Sequence, residues 1–225
     1  MKLFGLVCAL VISYSTFAQT TVEKEVGDFS EIKVFDLIEV NLIASETNKV
    51  VIKGDNTQSV KIINEDGTLK LRMELEERFD GNKTFVEVFY KKIKIIDANE
   101  GAKIVTNEAI QQNNIELRAQ EGAMIRVGLQ VNYTKIKAVS GGIVEATGLA
   151  TKQEIKLNTG GIFKGPDLKT KDTDVRITAA GEAEIHATDK ATIRITAGGK
   201  VTVYGNPREL DERKFAGGKI IEVIE

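Results

Sequence analysis

The sequence predicts an all-β chain: a right-handed parallel β-solenoid of about six coils behind an N-terminal antiparallel β cap. Three observations carry this. No stretch has the 3.6-residue periodicity of a long amphipathic helix, whereas short β-branched runs alternate apolar and polar residues from end to end. From Ile93 onward a unit of about 20 residues recurs, the mark of a solenoid whose coils bury their apolar side only against one another. Each unit also carries a small-residue corner where the chain has to turn sharply.

The elements follow in chain order. Lys2 precedes an apolar run from Leu3 to Ile12, and Ser13, Ser15 and Thr16 lead on to Phe17, Ala18 and Gln19. That order is a signal peptide, expected to occupy residues 1–18, with the cut between Ala18 and Gln19. The run is too short to span a membrane, which takes about 20 apolar residues. Cys8, the single cysteine, lies inside it, so the exported chain would contain no cysteine and would need no disulfide.

Residues 19–92 read as a cap of antiparallel strands. Alternating runs at Glu31 to Asn41, Lys49 to Lys53, Ser59 to Asn64, Thr68 to Met73 and Thr84 to Tyr90 are separated by the turn formers Gly54-Asp55-Asn56, Glu65-Asp66-Gly67 and Asp80-Gly81-Asn82.

Residues 93–225 read as the solenoid proper. Apolar pairs with one residue between them fall at Ile93/Ile95, Ile115/Leu117, Ile136/Ala138, Ile155/Leu157, Val175/Ile177 and Ile193/Ile195. Corners follow at Glu100-Gly101-Ala102, Glu121-Gly122-Ala123, Ser140-Gly141-Gly142, Thr159-Gly160-Gly161, Ala180-Gly181-Glu182 and Ala197-Gly198-Gly199. Glycine suits a corner with positive φ, and stacked corners leave little room for a Cβ. The run from Lys219 to Ile224 is expected to close the far end.

The opening Phe29-Ser30-Glu31-Ile32-Lys33-Val34, the Ser-Gly-Gly corner, and the closing Val203-Tyr204-Gly205-Asn206-Pro207 with Gly217-Gly218 resemble the putative auto-transporter adhesin, head GIN domain family of exported bacterial proteins. The resemblance covers nearly all of the chain after residue 18. It implies a β-helical fold and an envelope or extracellular location, and it brings no catalytic residue, cofactor or ligand with it. The Glu-Gly-Ala and Ala-Gly-Glu corners depart from the family's serine-rich pattern.

Composition narrows the chemistry further. The 225 residues are 42% hydrophobic and 28% charged with a formal net charge of -2, so no global field draws the chain to nucleic acid. One His, one Cys and no Trp leave few groups for metal or thiol chemistry, and no cofactor is expected. His186 stands opposite Ile185 on its strand and reads as a surface residue. Glu182, Glu184 and Asp189, with Glu145 two coils away, are the candidates for paired acids, set against a solvated charged face that includes Lys164 and Lys200. Tyr90, Tyr133, Phe163 and Tyr204 are scattered along the sequence, which argues against strong binding of neutral sugar.

The residue between the members of each apolar pair runs Lys94, Glu116, Lys137, Lys156, Arg176, Arg194. The last four would form a basic column on one outward face, with neighbours about 5 Å apart. Such a column either keeps the sheet soluble or meets an acidic partner. The expected function is an exported, non-enzymatic adhesin-like or structural module of the bacterial envelope, in the periplasm or at the cell surface. Lys137, Lys156, Arg176 and Arg194 are its candidate contacts to an acidic polysaccharide or a surface protein, and self-association is compatible with the open ends of a solenoid. The alternative is a β-helical polysaccharide lyase or hydrolase acting on acidic glycans.

Overall fold

A computed structural model describes residues 21–224. The expected signal segment and its Ala18/Gln19 cleavage point lie outside the described residues. Sixteen strands follow in order: β1 (Val22–Glu25), β2 (Glu31–Val34), β3 (Glu39–Ala44), β4 (Lys49–Gly54), β5 (Val60–Glu65), β6 (Thr68–Met73), β7 (Thr84–Tyr90), β8 (Ile95–Ala98), β9 (Lys103–Ala119), β10 (Met124–Val139), β11 (Ile143–Asn158), β12 (Ile162–Ala179), β13 (Glu182–Ala197), β14 (Lys200–Tyr204), β15 (Glu209–Ala216) and β16 (Lys219–Glu222). They form a parallel β-solenoid of about seven turns with antiparallel strands at its N-terminal end.

Two walls make the stack. The first runs β5, β6, β2, β8, then the C-terminal parts of β9 through β13, and ends at β15. The second runs β1, β4, β7, β3, then the N-terminal parts of β9 through β13, and ends at β14 and β16. Each of the long strands therefore belongs to both walls. It bends from the second to the first, with register shifts such as the one between Arg126 and Gly128.

The apolar pairs make the core. In the first wall one inward column runs Leu69, Ile32, Ile96, Leu117, Ile136, Ile155, Val175, Ile193. Two residues on, a second column runs Leu71, Val34, Ala98, Ala119, Ala138, Leu157, Ile177, Ile195, and every member of both is buried. At about 25 cal/mol per Å² of apolar surface, stacking identical faces is what holds coils that could not stand alone.

The first two units differ from the sequence reading. The stacked pairs there are Ile96/Ala98 and Leu117/Ala119, not Ile93/Ile95 and Ile115/Leu117. Ile115 also points inward, one step earlier, beside Thr134, and alternation alone cannot say which two of Ile115, Leu117 and Ala119 form the pair. At Ile93 the alternation slips, since Ile93 and Ile96 are both buried while Ile95 is half-exposed.

The cap is also more than an antiparallel meander. β1/β4, β4/β7 and β5/β6 are antiparallel. β2, however, lies parallel to both β6 and β8, and β3 parallel to both β7 and β9. The coil built from β2 and β3 is thus sandwiched between a coil that comes later in the chain and the first coil of the regular stack. At the far end β16 does extend the stack, parallel to β14, and β15 adds a first-wall strand that the sequence pattern did not mark.

The corners use two different reasons for glycine. Gly101, Gly122, Gly141 and Gly160 have φ of 72 to 74°; Cβ atoms on the last three would meet little or nothing, whereas one on Gly101 would press on the Leu37 side chain. Gly142 and Gly161 instead press on the previous coil: a Cβ on Gly161 would lie 2.0 Å from the Ala138 carbonyl oxygen. The residue ahead of each of the first four glycines is also left-handed, with Glu100, Glu121, Ser140 and Thr159 at φ near 50°. Successive corners are tied along the stack, for example Gly122 N–H to Ser140 O at 3.1 Å and Gly141 N–H to Thr159 O at 3.1 Å.

Candidate functional site: a basic ladder along the first wall

Side chains alternate in and out along a strand, so the residue between two inward-facing ones must point to solvent. Parallel register then places these residues directly above one another. In the first wall the outward column runs Lys70, Lys33, Asp97, Arg118, Lys137, Lys156, Arg176, Arg194, Arg213. The four residues expected from sequence are brought together as a column, and two more arginines extend it to six unbroken basic rungs. Lys94 and Glu116 do not belong to it; Glu116 stands one outward position earlier, beside Lys135 and Ile95.

Like charges on rungs about 5 Å apart repel by roughly 1 kcal/mol in water and several-fold more where solvent is partly excluded. The chain compensates mostly within each strand, with some pairs crossing to the neighbouring one. Two residues before the ladder, on the same face, stand Glu116, Glu154, Asp174 and Asp211. Arg118 pairs with Glu116 at 2.8 Å, Lys156 with Glu154 at 2.7 Å, Arg176 and Arg194 both with Asp174 at 3.1 Å, and Arg213 with Asp211 at 3.7 Å. In Lys137's strand the matching position is Lys135, which turns to Glu116 at 3.2 Å. Lys137 makes no ion pair among the described residues.

The carboxylates respond to these partners. Bonds from Lys156 and Tyr133 hold Glu154 below the usual carboxylate range. Burial pushes Glu116 upward, but Arg118 and Lys135 together outweigh it and the net direction is down. Asp97, where the ladder is interrupted, is raised by burial against the opposing pull of Lys33, Asn99 and Arg118. Tyr133 donates to Glu154 at 2.8 Å and is pushed up to about 12 by burial and that bond.

Two shallow depressions follow the ladder. One of about 420 Å³ includes Asp97, Arg118, Lys137 and Lys156, and the next, of about 270 Å³, includes Lys137, Lys156 and Arg176. Sharing Lys137, Val139 and Lys156, they form one continuous trough on the outer face of the first wall.

A scan of the chain against protein-family models matches residues 28–207 to the putative auto-transporter adhesin, head GIN domain. The chain belongs to this family. Solved structures share the fold of this head GIN domain. A putative adhesin from Bacteroides fragilis superposes with a TM-score of 0.84 at 15% identity, over 92% of this chain and 98% of that one. A putative adhesin from Parabacteroides merdae gives 0.68 at 19% identity, covering 92% and 97%. A putative lipid binding protein from Parabacteroides distasonis gives 0.66 at 16% identity, covering 92% and 98%. None of the curated proteins matches in sequence.

The other candidate residues of the head GIN chain do not converge. Glu182 stacks between Ile162 and Lys200, and Glu184 between Lys164 and Thr202. Glu145 is clamped by Arg126 at 2.7 Å and Lys164 at 3.0 Å, which together hold it deprotonated and below its ordinary range. Asp189 lies beyond the bend near Arg208, at 4.0 Å. His186 faces away from Ile185, as alternation requires, but is half-buried: its Nδ1 donates to the Pro166 carbonyl at 3.1 Å, and its ring packs against Gly205. Among the described residues no group of three His, Cys, Asp or Glu is placed to hold a metal ion. Phe163 is a core residue. The core also contains a polar column that the sequence did not reveal, Thr134, Gln153 and Thr173 stacked in register.

Proposed function

We propose that the protein is an exported adhesin-like module of the bacterial envelope that holds an acidic glycan along the ladder from Arg118 to Arg213, without turning it over. The observation that carries this is the unbroken run of six cations in register, of which the four from Arg118 to Arg176 line a continuous trough and Lys137 is incompletely neutralised. A flexible polyanion can follow such a ladder, because the rungs repeat at the fixed strand spacing of about 4.8 Å. Membership of the adhesin family and the signal-like first segment support export. The shortage of aromatic rings on this wall favours charge over stacking as the source of affinity.

The test is binding of purified protein to polygalacturonate and alginate, with dextran as the neutral control, at low and moderate salt. Binding to the acidic polymers is expected to fall steeply with salt and to be lost when Lys137, Lys156, Arg176 and Arg194 are all changed to Gln. Equal binding by that variant would return the column to a solubility role. Release of shortened glycan that disappears in Glu182→Gln or Glu184→Gln would overturn the non-enzymatic reading.

A further inference from the structure

A large cavity lies where the regular stack meets the N-terminal strands. It is an open cleft of about 890 Å³ between the segment from Tyr90 to Ile95 and the part of β9 from Glu108 to Glu116, with Tyr133 and Lys135 of β10 at its edge. That size falls within the range of small-ligand sites. The strands themselves make it. On the cap side β9 pairs with β3 only from Lys103 to Thr106 and with β8 only from Glu116 to Ala119, so its residues 107–115 have no strand beside them there.

The walls are tied in place before any ligand arrives. Gln112 Nε2 donates to the Ile93 carbonyl at 2.8 Å and to the Asn114 carbonyl at 2.6 Å, clamping the two sides together. The Lys91 backbone N–H donates to Asn48 Oδ1 at 2.9 Å, which anchors the outer side to the cap. Ile93, Ile110 and Ile115 supply an apolar floor.

The charges are mixed and net positive. Lys91, Lys92, Lys94 and Lys135 face Glu108 and Glu116 around the rim. Lys135 is engaged by Glu116 and Lys91 by Asp28 at 3.8 Å, whereas Lys92 and Lys94 are exposed and make no ion pair among the described residues. Burial, and then Glu108, raise the Tyr90 phenol, so at neutral pH it is an O–H donor. The Tyr133 hydroxyl is already given to Glu154, which leaves its ring as apolar surface. A multiply charged phosphate would meet the two glutamates, whereas a sugar bearing one carboxylate suits the whole set. Its carboxylate would take Lys92 and Lys94, its hydroxyls the glutamates and the amides of Gln111 and Asn113, and its C–H face the isoleucine floor and the Tyr133 ring.

The cleft also leads to the ladder, since Glu116 and Lys135 line both it and the first depression of the trough. We propose that the cleft binds one carboxylated sugar unit, and that this unit is the end of the acidic chain whose body lies on the ladder. Only the second clause rests on the function proposed above.

The experiment separates the two. Backbone amides of ¹⁵N-labelled protein are followed during titration with galacturonate, glucuronate and N-acetylneuraminate, with galactose as the neutral control, and then with a hexagalacturonate. At least one acidic monosaccharide is expected to give saturable shifts at residues 91–94 and 111–114, which galactose does not produce. Lys92→Gln/Lys94→Gln should weaken that binding roughly tenfold, while Lys137→Gln/Lys156→Gln should leave it unchanged. The hexamer should bind more tightly than the monomer, and the ladder variant should erase that advantage. Absence of saturable shifts in the cleft for all three acids at tens of millimolar, or monomer binding indifferent to the Lys92/Lys94 change, overturns the cleft assignment. A hexamer no tighter than the monomer overturns the ladder as the seat of the chain's body while leaving the cleft result standing.

Discussion

The two walls of the solenoid solve the same electrostatic problem in opposite ways. On the second wall the outward column Arg126, Glu145, Lys164, Glu184 alternates in sign from rung to rung, and Glu145 pairs with the cations on the strands at either side of it. On the first wall the corresponding column is all basic from Arg118 to Arg213, and its counter-charges stand mostly two residues away along the strand. A sheet that only needed to be soluble could use the alternating scheme throughout. The second wall shows that this chain has that scheme available, so solubility alone does not require the like-charged column.

The sharpest way to break the comparison is to uncouple the coils on which both walls depend. Gly161→Ala places a Cβ against the Ala138 carbonyl, and overpacking of this kind typically costs about 1–3 kcal/mol. Gly141→Ala meets open space and carries mainly the left-handed backbone penalty of about 1–2 kcal/mol. Thermal unfolding should therefore rank Gly161→Ala below Gly141→Ala, and the reverse order would refute close approach as the reason for the third corner glycine.

A second change converts one wall toward the other. Glu145→Lys would set three cations in a row on the second wall with no acid two residues away to absorb them. It should destabilise by about 1 kcal/mol at low salt and recover in part at high salt. An unchanged denaturation midpoint would mean that solvent alone screens such a column, and the special status of the first wall would fall with it.

Asp174→Asn works in the other direction, by stripping the shared partner of Arg176 and Arg194. These are largely solvent-accessible pairs, so the stability change should stay within about 1 kcal/mol, while affinity for polygalacturonate rises. Weaker binding would show that the acid column positions the cations instead of diluting their charge.

The smallest effect expected is in acid. Glu145 and Glu154 both have depressed folded-state values, so their contribution is present above the ordinary carboxylate value of 4.5 and is lost as pH falls through the lower folded values. Denaturant midpoints should decline below that pH, less steeply in Glu145→Gln. A variant that follows the parent curve would remove Glu145 from the account.

Much of this was legible in the sequence because a parallel coil repeats its inward pair and its corner at nearly constant spacing. Lys137, Lys156, Arg176 and Arg194 could be aligned because each lies between two unmistakable apolar residues. Arg118 was hidden because Ile115, Leu117 and Ala119 all face inward, and the smallest of them completes the stacked pair. Arg213 was hidden because the end of the stack needs no apolar pair, and Glu212 and Lys214 stand where Ile193 and Ile195 would lead one to expect hydrophobic residues. The direction of β2 and β3 could not be read at all, since a half-buried strand alternates in the same way whether its neighbour is parallel or antiparallel. The cleft left only indirect traces, the lysines after Tyr90 and the polar stretch within β9. A tyrosine at position 90 and one at 133 look scattered until the fold puts them around the same cavity.

The misplaced coil at the N-terminal end bears on how the chain assembles. A solenoid wound strictly in sequence could begin as soon as two coils were available, each new one settling on the last. Here β2 waits for β6 on one side and β8 on the other, and β3 waits for β7 and β9, so the earliest strands gain their neighbours only after some 60 further residues have emerged. Closing loops of that length is slow compared with adding adjacent coils. The block up to β9 is therefore the expected kinetic bottleneck, and the remaining coils, including those that carry the ladder, can grow outward from it like courses laid on a finished foundation.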